Sequence, residues 1–341
     1  MTRHGAPPDR GLLPALVGDG RPLLSLTGVA LFVSGLFAIF LATRREFLPH
    51  DIAFLGISAD ELCHHANCRI VAFMFHDRVA FGGTLISVAI LYLWLAAFPL
   101  RDGERWAWRA FAVSGAAGFV SFLAYLGYGY LDTWHGAATL ALLPTFLVGL
   151  IASSRLAVRP PASWLTRAPG APTTLRAARW MLLGTAGGLV AAGLTILFVG
   201  MTQVFVPQDL QFMGLDRAAL DRITPRLIPL IAHDRAGFGG GLMSTGLLIA
   251  FCAWYAPPSR SFLEAIVAAG AAGFGCAIGV HFAEGYTDFV HLAPALVGAI
   301  LFVTAVVLEI RGSREAASML GARRTKHEER RRSSTQPLSM Q

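Results

Sequence analysis

The chain has 341 residues, 55% hydrophobic and only 14% charged, with a net charge of +7 and a pI near 9.7. Soluble domains carry about 25% charged residues, so a soluble enzyme, a disordered chain and a disulfide-framework secreted domain are all excluded. A mean hydropathy of +0.56 and apolar blocks of about 20 residues, the length that crosses a bilayer, define an all-α polytopic membrane protein.

The polar segment 1–21, with Arg3, Arg10 and Arg21, comes first. It lacks the features of a cleaved signal peptide, so the first apolar block is expected to remain as a helix. Eight spans follow, at 22–43, 71–98, 108–128, 137–154, 179–202, 228–256, 262–284 and 290–310. A basic, Pro-rich linker, 155–178, separates the first four from the last four, and a basic tail, 311–341, is expected to be disordered. Only one of the 28 basic residues is a lysine, Lys326, which points to a GC-rich genome. With the N-terminus in the cytoplasm, 20 of the 28 lie on the cytoplasmic side, as the positive-inside pattern requires. Both termini are then cytoplasmic, in a bacterial inner membrane. The tail residues Arg323, Arg324, Lys326 and Arg330 to Arg332 suit anionic lipid headgroups better than nucleic acid.

The chain repeats itself. F-L-P-H-D-I-A-F-L-G (47–56) matches F-V-P-Q-D-L-Q-F-M-G (205–214), and H-D-R-V-A-F-G-G (76–83) matches H-D-R-A-G-F-G-G (233–240). S-G-A-A-G-F (114–119) matches A-G-A-A-G-F (269–274), and G-Y-L-D-T-W-H (129–135) matches G-Y-T-D-F-V-H (285–291). The offset stays between 155 and 158, which chance does not produce four times in order. Segments 22–154 and 179–310 are therefore two four-helix repeats. Four is even, so the repeats run parallel about a pseudo-two-fold axis along the membrane normal.

The repeats share a polar set: Asp51/Asp209, His76/His233, Asp77/Asp234, Arg78/Arg235, Tyr130/Tyr286, Asp132/Asp288 and His135/His291. All fall at the outer membrane boundary in this orientation. Ionisable groups within spans are costly and mark functional sites, so His76, His135, His233 and His291 are candidate ligands. Imidazole with nearby carboxylate suits haem iron, copper, zinc or non-haem iron. Below His76 the same helix face carries Ala80, Gly83 and Ser87; below His233 it carries Gly237, Gly240 and Ser244. Such strips serve either close helix packing or a flat cofactor lying on them. Asp132 and Asp288 stand three residues before a histidine, placed either to orient its ring or to cap a helix. Asp77, Arg78, Asp234 and Arg235 read as structural ion pairs. Cys63-His64-His65-Ala66-Asn67-Cys68 reads as a disulfide loop in an oxidising compartment, with a metal or redox role as the alternative. His281 breaks the symmetry, its counterpart region holding Tyr125. Cys252 and Cys276 read as packing thiols inside spans, and no P-loop, Rossmann fingerprint or nucleophile elbow is present.

This organisation resembles the haem A synthase family, in architecture rather than in motif, across nearly the whole chain. The resemblance implies eight spans in two four-helix halves, with paired histidines on even-numbered helices near the outer face and a Cys pair in the first outer loop. His76, His135, His233, His291, Cys63 and Cys68 occupy analogous places. The expected function is a membrane oxidoreductase binding haem b or a transition metal, in the pairs His76/His135 and His233/His291. Tyr130 and Tyr286 would stand behind those ligands, and a quinone or another lipophilic molecule would be the partner. The competing expectations are a small-molecule or proton-coupled transporter and an accessory subunit of a membrane complex.

Overall fold

The structure, a computed structural model, describes residues 17–123, 126, 130, 133–168 and 170–334; side chains are described for these residues apart from 133–135 and 320–334. It is 82% helical and holds no strand among the described residues. Eight long helices, numbered here in chain order, dominate. They are α1 (Arg21–Arg44), α2 (Arg69–Ala97), α3 (Arg105–Leu123), α4 (Thr133–Ser153), α5 (Thr173–Thr202), α6 (Leu227–Tyr255), α7 (Arg260–Ala283) and α8 (Phe289–Ser334).

Seven of these are long and apolar enough to cross a membrane, which fits a multi-pass membrane protein. The exception is α3, where the span 108–128 was expected. It opens with Arg105 and Arg109 and continues through serine, glycine and alanine, so its mean hydropathy falls below that of its neighbours. The 311–334 stretch, expected to be disordered, continues α8 without a break. Its alanine, arginine, glutamate, methionine and leucine content is rich in strong helix formers.

Helices α2 and α6 form the centre. In each, 72% of the most apolar stretch is buried, against 17–28% in the other candidate spans. They pack on each other. In addition, α2 packs on α1 and α7, and α6 packs on α5 and α3. Each central helix thus takes one neighbour from its own half of the sequence and one from the other half. Helix α8 covers α5 and α7, and α4 covers α1.

Glycine permits these close approaches. A Cβ on Gly82 of α2 would stand 2.8 Å from the Gly35 carbonyl oxygen of α1, and one on Gly239 of α6 would stand 2.7 Å from that of Gly193 in α5. The end of the bundle that carries the His-Asp-Arg segments, the site end, is closed by two short helices, Pro49–Leu55 and Pro207–Met213. Both begin with proline, whose fixed φ suits a first helical position. Both end on a left-handed glycine, Gly56 at φ 73° and Gly214 at φ 70°, the usual helix stop. The repeated string F-x-P-x-D-x-x-F-x-G therefore encodes a plug of about two turns that turns its aspartate inward.

At the opposite end the two halves are fastened differently. Arg179 of α5 is wholly buried and makes a two-pronged ion pair with Glu309 of α8, at 3.0 and 2.7 Å. Its guanidinium lies 4.3 Å from the centre of the Phe262 ring. In the first half, α4 instead meets the start of α1 by backbone contact, with Gly149 against the Gly20 carbonyl.

Candidate metal centre

The duplicated residues form two hydrogen-bonded networks, and each crosses from one half of the sequence to the other. The first begins at His76 on α2, whose Nδ1 lies 3.1 Å from Asp77 Oδ1. Asp77 Oδ2 accepts from Arg235 Nε at 3.1 Å, and Arg235 pairs with Asp209 at 2.8 Å. The Tyr286 hydroxyl donates to Asp209 at 2.8 Å and stands 3.2 Å from His291 Nδ1. The second network repeats the pattern with the halves exchanged. His233 Nδ1 lies 3.2 Å from Asp234, Arg78 donates to Asp234 at 2.9 Å and pairs with Asp51 at 2.8 Å, and Tyr130 donates to Asp51 at 2.7 Å.

Among the described residues, only the first network gathers three imidazoles. One ring nitrogen each of His76, His281 and His291 lies within 4.8 Å of the other two, and the Nε2 atoms of His76 and His281 are 3.1 Å apart. Their hydrogen bonds fix where the protons sit. The Nδ1 of His281 lies 2.6 Å from the Ala277 carbonyl, which can only accept, so this nitrogen carries the hydrogen. Asp77, ion-paired with Arg235, likewise accepts from His76 Nδ1. Tyr286 gives its own proton to Asp209 and therefore accepts from His291 Nδ1. Burial, reinforced by the neighbouring Asp209 charge, pushes the Tyr286 hydroxyl well above the ordinary tyrosine range, which keeps that proton in place.

A neutral imidazole has one N–H. With every Nδ1 protonated, the Nε2 atoms of His76 and His281 present lone pairs to each other at 3.1 Å. That arrangement is repulsive unless a cation lies between them. A metal ion satisfies it: nitrogen ligands 2.0–2.1 Å from zinc in a tetrahedron stand about 3.3 Å apart. The partners behind the rings are those that orient ligating histidines, a carboxylate and a backbone carbonyl, joined here by a tyrosine.

A haem does not fit these residues. The strip below His76 is occupied by α7: a Cβ on Gly83 would stand 2.5 Å from Cys276 Cβ, and Ser87 donates to the Ala269 carbonyl at 2.7 Å. The strip below His233 is occupied by α3, since a Cβ on Gly240 would overlap Ser121 and Ser244 donates to the Ser114 carbonyl at 2.9 Å. The glycines serve helix packing, and no slot for a macrocycle opens beside them among the described residues. The His76–His281 separation likewise leaves no room for a porphyrin between two axial ligands.

Other expectations are redistributed. His291 gathers with His76 from the other half rather than with His233. Asp132, Tyr125 and the side chain of His135 lie outside the described residues. Asp288 accepts from the His291 backbone N–H at 2.8 Å, so it caps α8, while the His291 ring turns to Tyr286. The ion pairs of Asp77, Arg78, Asp234 and Arg235 join α2 to α6 instead of closing within each motif. The Cys63 and Cys68 sulfurs stand at bonding distance, 2.01 Å. His281 was legible only as the residue that breaks the symmetry, and that asymmetry was the signal of its place in the cluster. No protein-family model matches the chain, and neither a curated protein nor a solved structure resembles it significantly. The likeness to haem A synthases therefore rests on architecture alone.

Proposed function

We propose that this protein is a membrane metalloprotein that holds one zinc, copper or iron ion on His76, His281 and His291, with the site end facing the outside of the cell. Two parallel four-helix repeats build it, with α3 as the eighth span and a pseudo-two-fold axis between α2 and α6. The exchanged ion pairs Arg78–Asp234 and Arg235–Asp77 support that symmetry. The observation that carries the metal reading is the His76–His281 contact, two lone-pair nitrogens held 3.1 Å apart by partners that fix their tautomers. Three neutral imidazoles leave at least one coordination position for a substrate. Copper or iron there supplies oxidoreductase chemistry, and zinc supplies Lewis-acid chemistry.

The test is metal analysis of protein purified in mild detergent and dialysed against each ion. About one equivalent retained by the wild type, lost in His281→Ala, with no Soret band, is the expected result. Failure to retain zinc, copper or iron overturns the reading. The same contact favours one second reading. A proton shared between the two Nε2 atoms would relieve it equally, as a proton-coupled transporter would require. Metal-free protein that releases one proton per chain on titration would decide for that alternative.

A further inference from the structure

At the site end lies an open pocket of about 510 Å³, lined by Arg45, Arg69, Ala72, Phe212, Glu284 and Gly285 among others. Its place in the fold connects it to the site. Ala72 is one helical turn before His76 on α2, and Glu284 is three residues beyond His281 at the end of α7. Phe212 stacks on Tyr286 with ring centres 4.5 Å apart. A cavity this size suits a small organic molecule.

Its charge is unbalanced. Arg45 is neutralised by Glu284, at 2.8 Å across the opening. Arg69 spends one N–H on the Phe212 carbonyl at 3.2 Å and has no carboxylate partner among the described residues. The guanidinium keeps four further N–H donors, in a fork that matches carboxylate and phosphate oxygens. Phe212 and Ala72 add apolar wall. We infer that this cavity is the vestibule of the metal centre and that it receives a small organic anion, with Arg69 gripping the carboxylate or phosphate and the apolar body turned toward Phe212. The inference rests on the metal reading for its purpose, but its binding step does not require the metal.

The Arg45–Glu284 pair sets the sensitivity of the vestibule. Removing Glu284 releases a second guanidinium to the anion, whereas removing Arg45 leaves an uncompensated carboxylate facing it. The two changes have opposite signs, which misfolding cannot imitate.

The test uses full-length protein in detergent, metal-free and zinc-loaded, with benzoate, phenylphosphate and the neutral benzamide as probes in equilibrium dialysis. One of the two anions should bind at one site per chain, at least tenfold more tightly than benzamide. Arg69→Gln should weaken that anion about tenfold in both forms and Arg69→Lys by less, while Glu284→Gln should tighten it and Arg45→Gln loosen it. Preference for benzoate or for phenylphosphate separates a carboxylate from a phosphate ligand. Equal binding of benzamide, or an Arg69→Gln variant that binds as the wild type does, overturns the inference. Failure of the metal reading would show separately, as absent zinc uptake with anion binding intact.

Discussion

The two crossed networks invite comparison because they use the same residue types in the same order. A histidine and aspartate from one half of the chain meet an arginine, an aspartate and a tyrosine from the other. What separates them is the residue brought by the helix packed alongside: α7 brings His281 to the first network, while the corresponding stretch of sequence after α3 offers Tyr125. An ion-paired frame alone therefore does not gather three imidazoles among the described residues. The frame holds α2 against α6, and the metal proposed above depends on the third imidazole added to one copy of it.

That contrast can be broken most completely by His281→Tyr, which gives the first network the residue type of the second. Metal content should fall from about one equivalent to below a tenth, with the helical circular-dichroism signal unchanged, because the substitution touches no ion pair.

The aspartates come next. Asp77→Asn and Asp234→Asn each remove one of the two carboxylates on an arginine, leaving Arg235 on Asp209 and Arg78 on Asp51. Each should therefore cost less than the roughly 3–5 kcal/mol of an uncompensated buried charge. Thermal unfolding in detergent should show similar losses for both. Metal affinity should fall about 10- to 100-fold only in Asp77→Asn, the range for removing a partner that orients a ligand. Equal affinity losses in both variants would show that the second network also holds metal.

Gly83→Ala and Gly240→Ala should each cost about 1–3 kcal/mol of stability, as overpacking does, since a methyl group there meets Cys276 or Ser121. The smallest effect belongs to Tyr286→Phe. Losing two hydrogen bonds, to Asp209 and from His291, each of about 1 kcal/mol, should weaken metal binding several-fold, whereas Tyr130→Phe should leave it unchanged by competition titration.

Much of this organisation could be read in the sequence, because duplication exposed it. The proline-to-glycine plugs, the His-Asp-Arg segments and the tyrosine–histidine strings stood out at a constant offset. Their partners could not be read. Proximity along the chain pairs His76 with His135 and Asp288 with His291, but α2 packs on α7 of the opposite half, and that choice depends on three-dimensional packing. The glycine strips were legible as small surfaces and ambiguous in use until Cys276 and Ser121 were found against them. His281 has no duplicate, so repetition along the chain does not reveal the imidazole that completes the cluster. The proton positions that argue for a cation followed only from distances to Ala277, Asp77 and Tyr286.

The unequal fastenings at the end remote from the histidines have a mechanical consequence. The joint between α5 and α8 is a salt bridge sealed from water, which holds until both charges can be resolvated and then gives way all at once. The joint between α1 and α4 is glycine against glycine, a smooth bearing whose dispersion contacts change little as one rod glides along the other. The helix that carries His291 is the one bolted down at its far end.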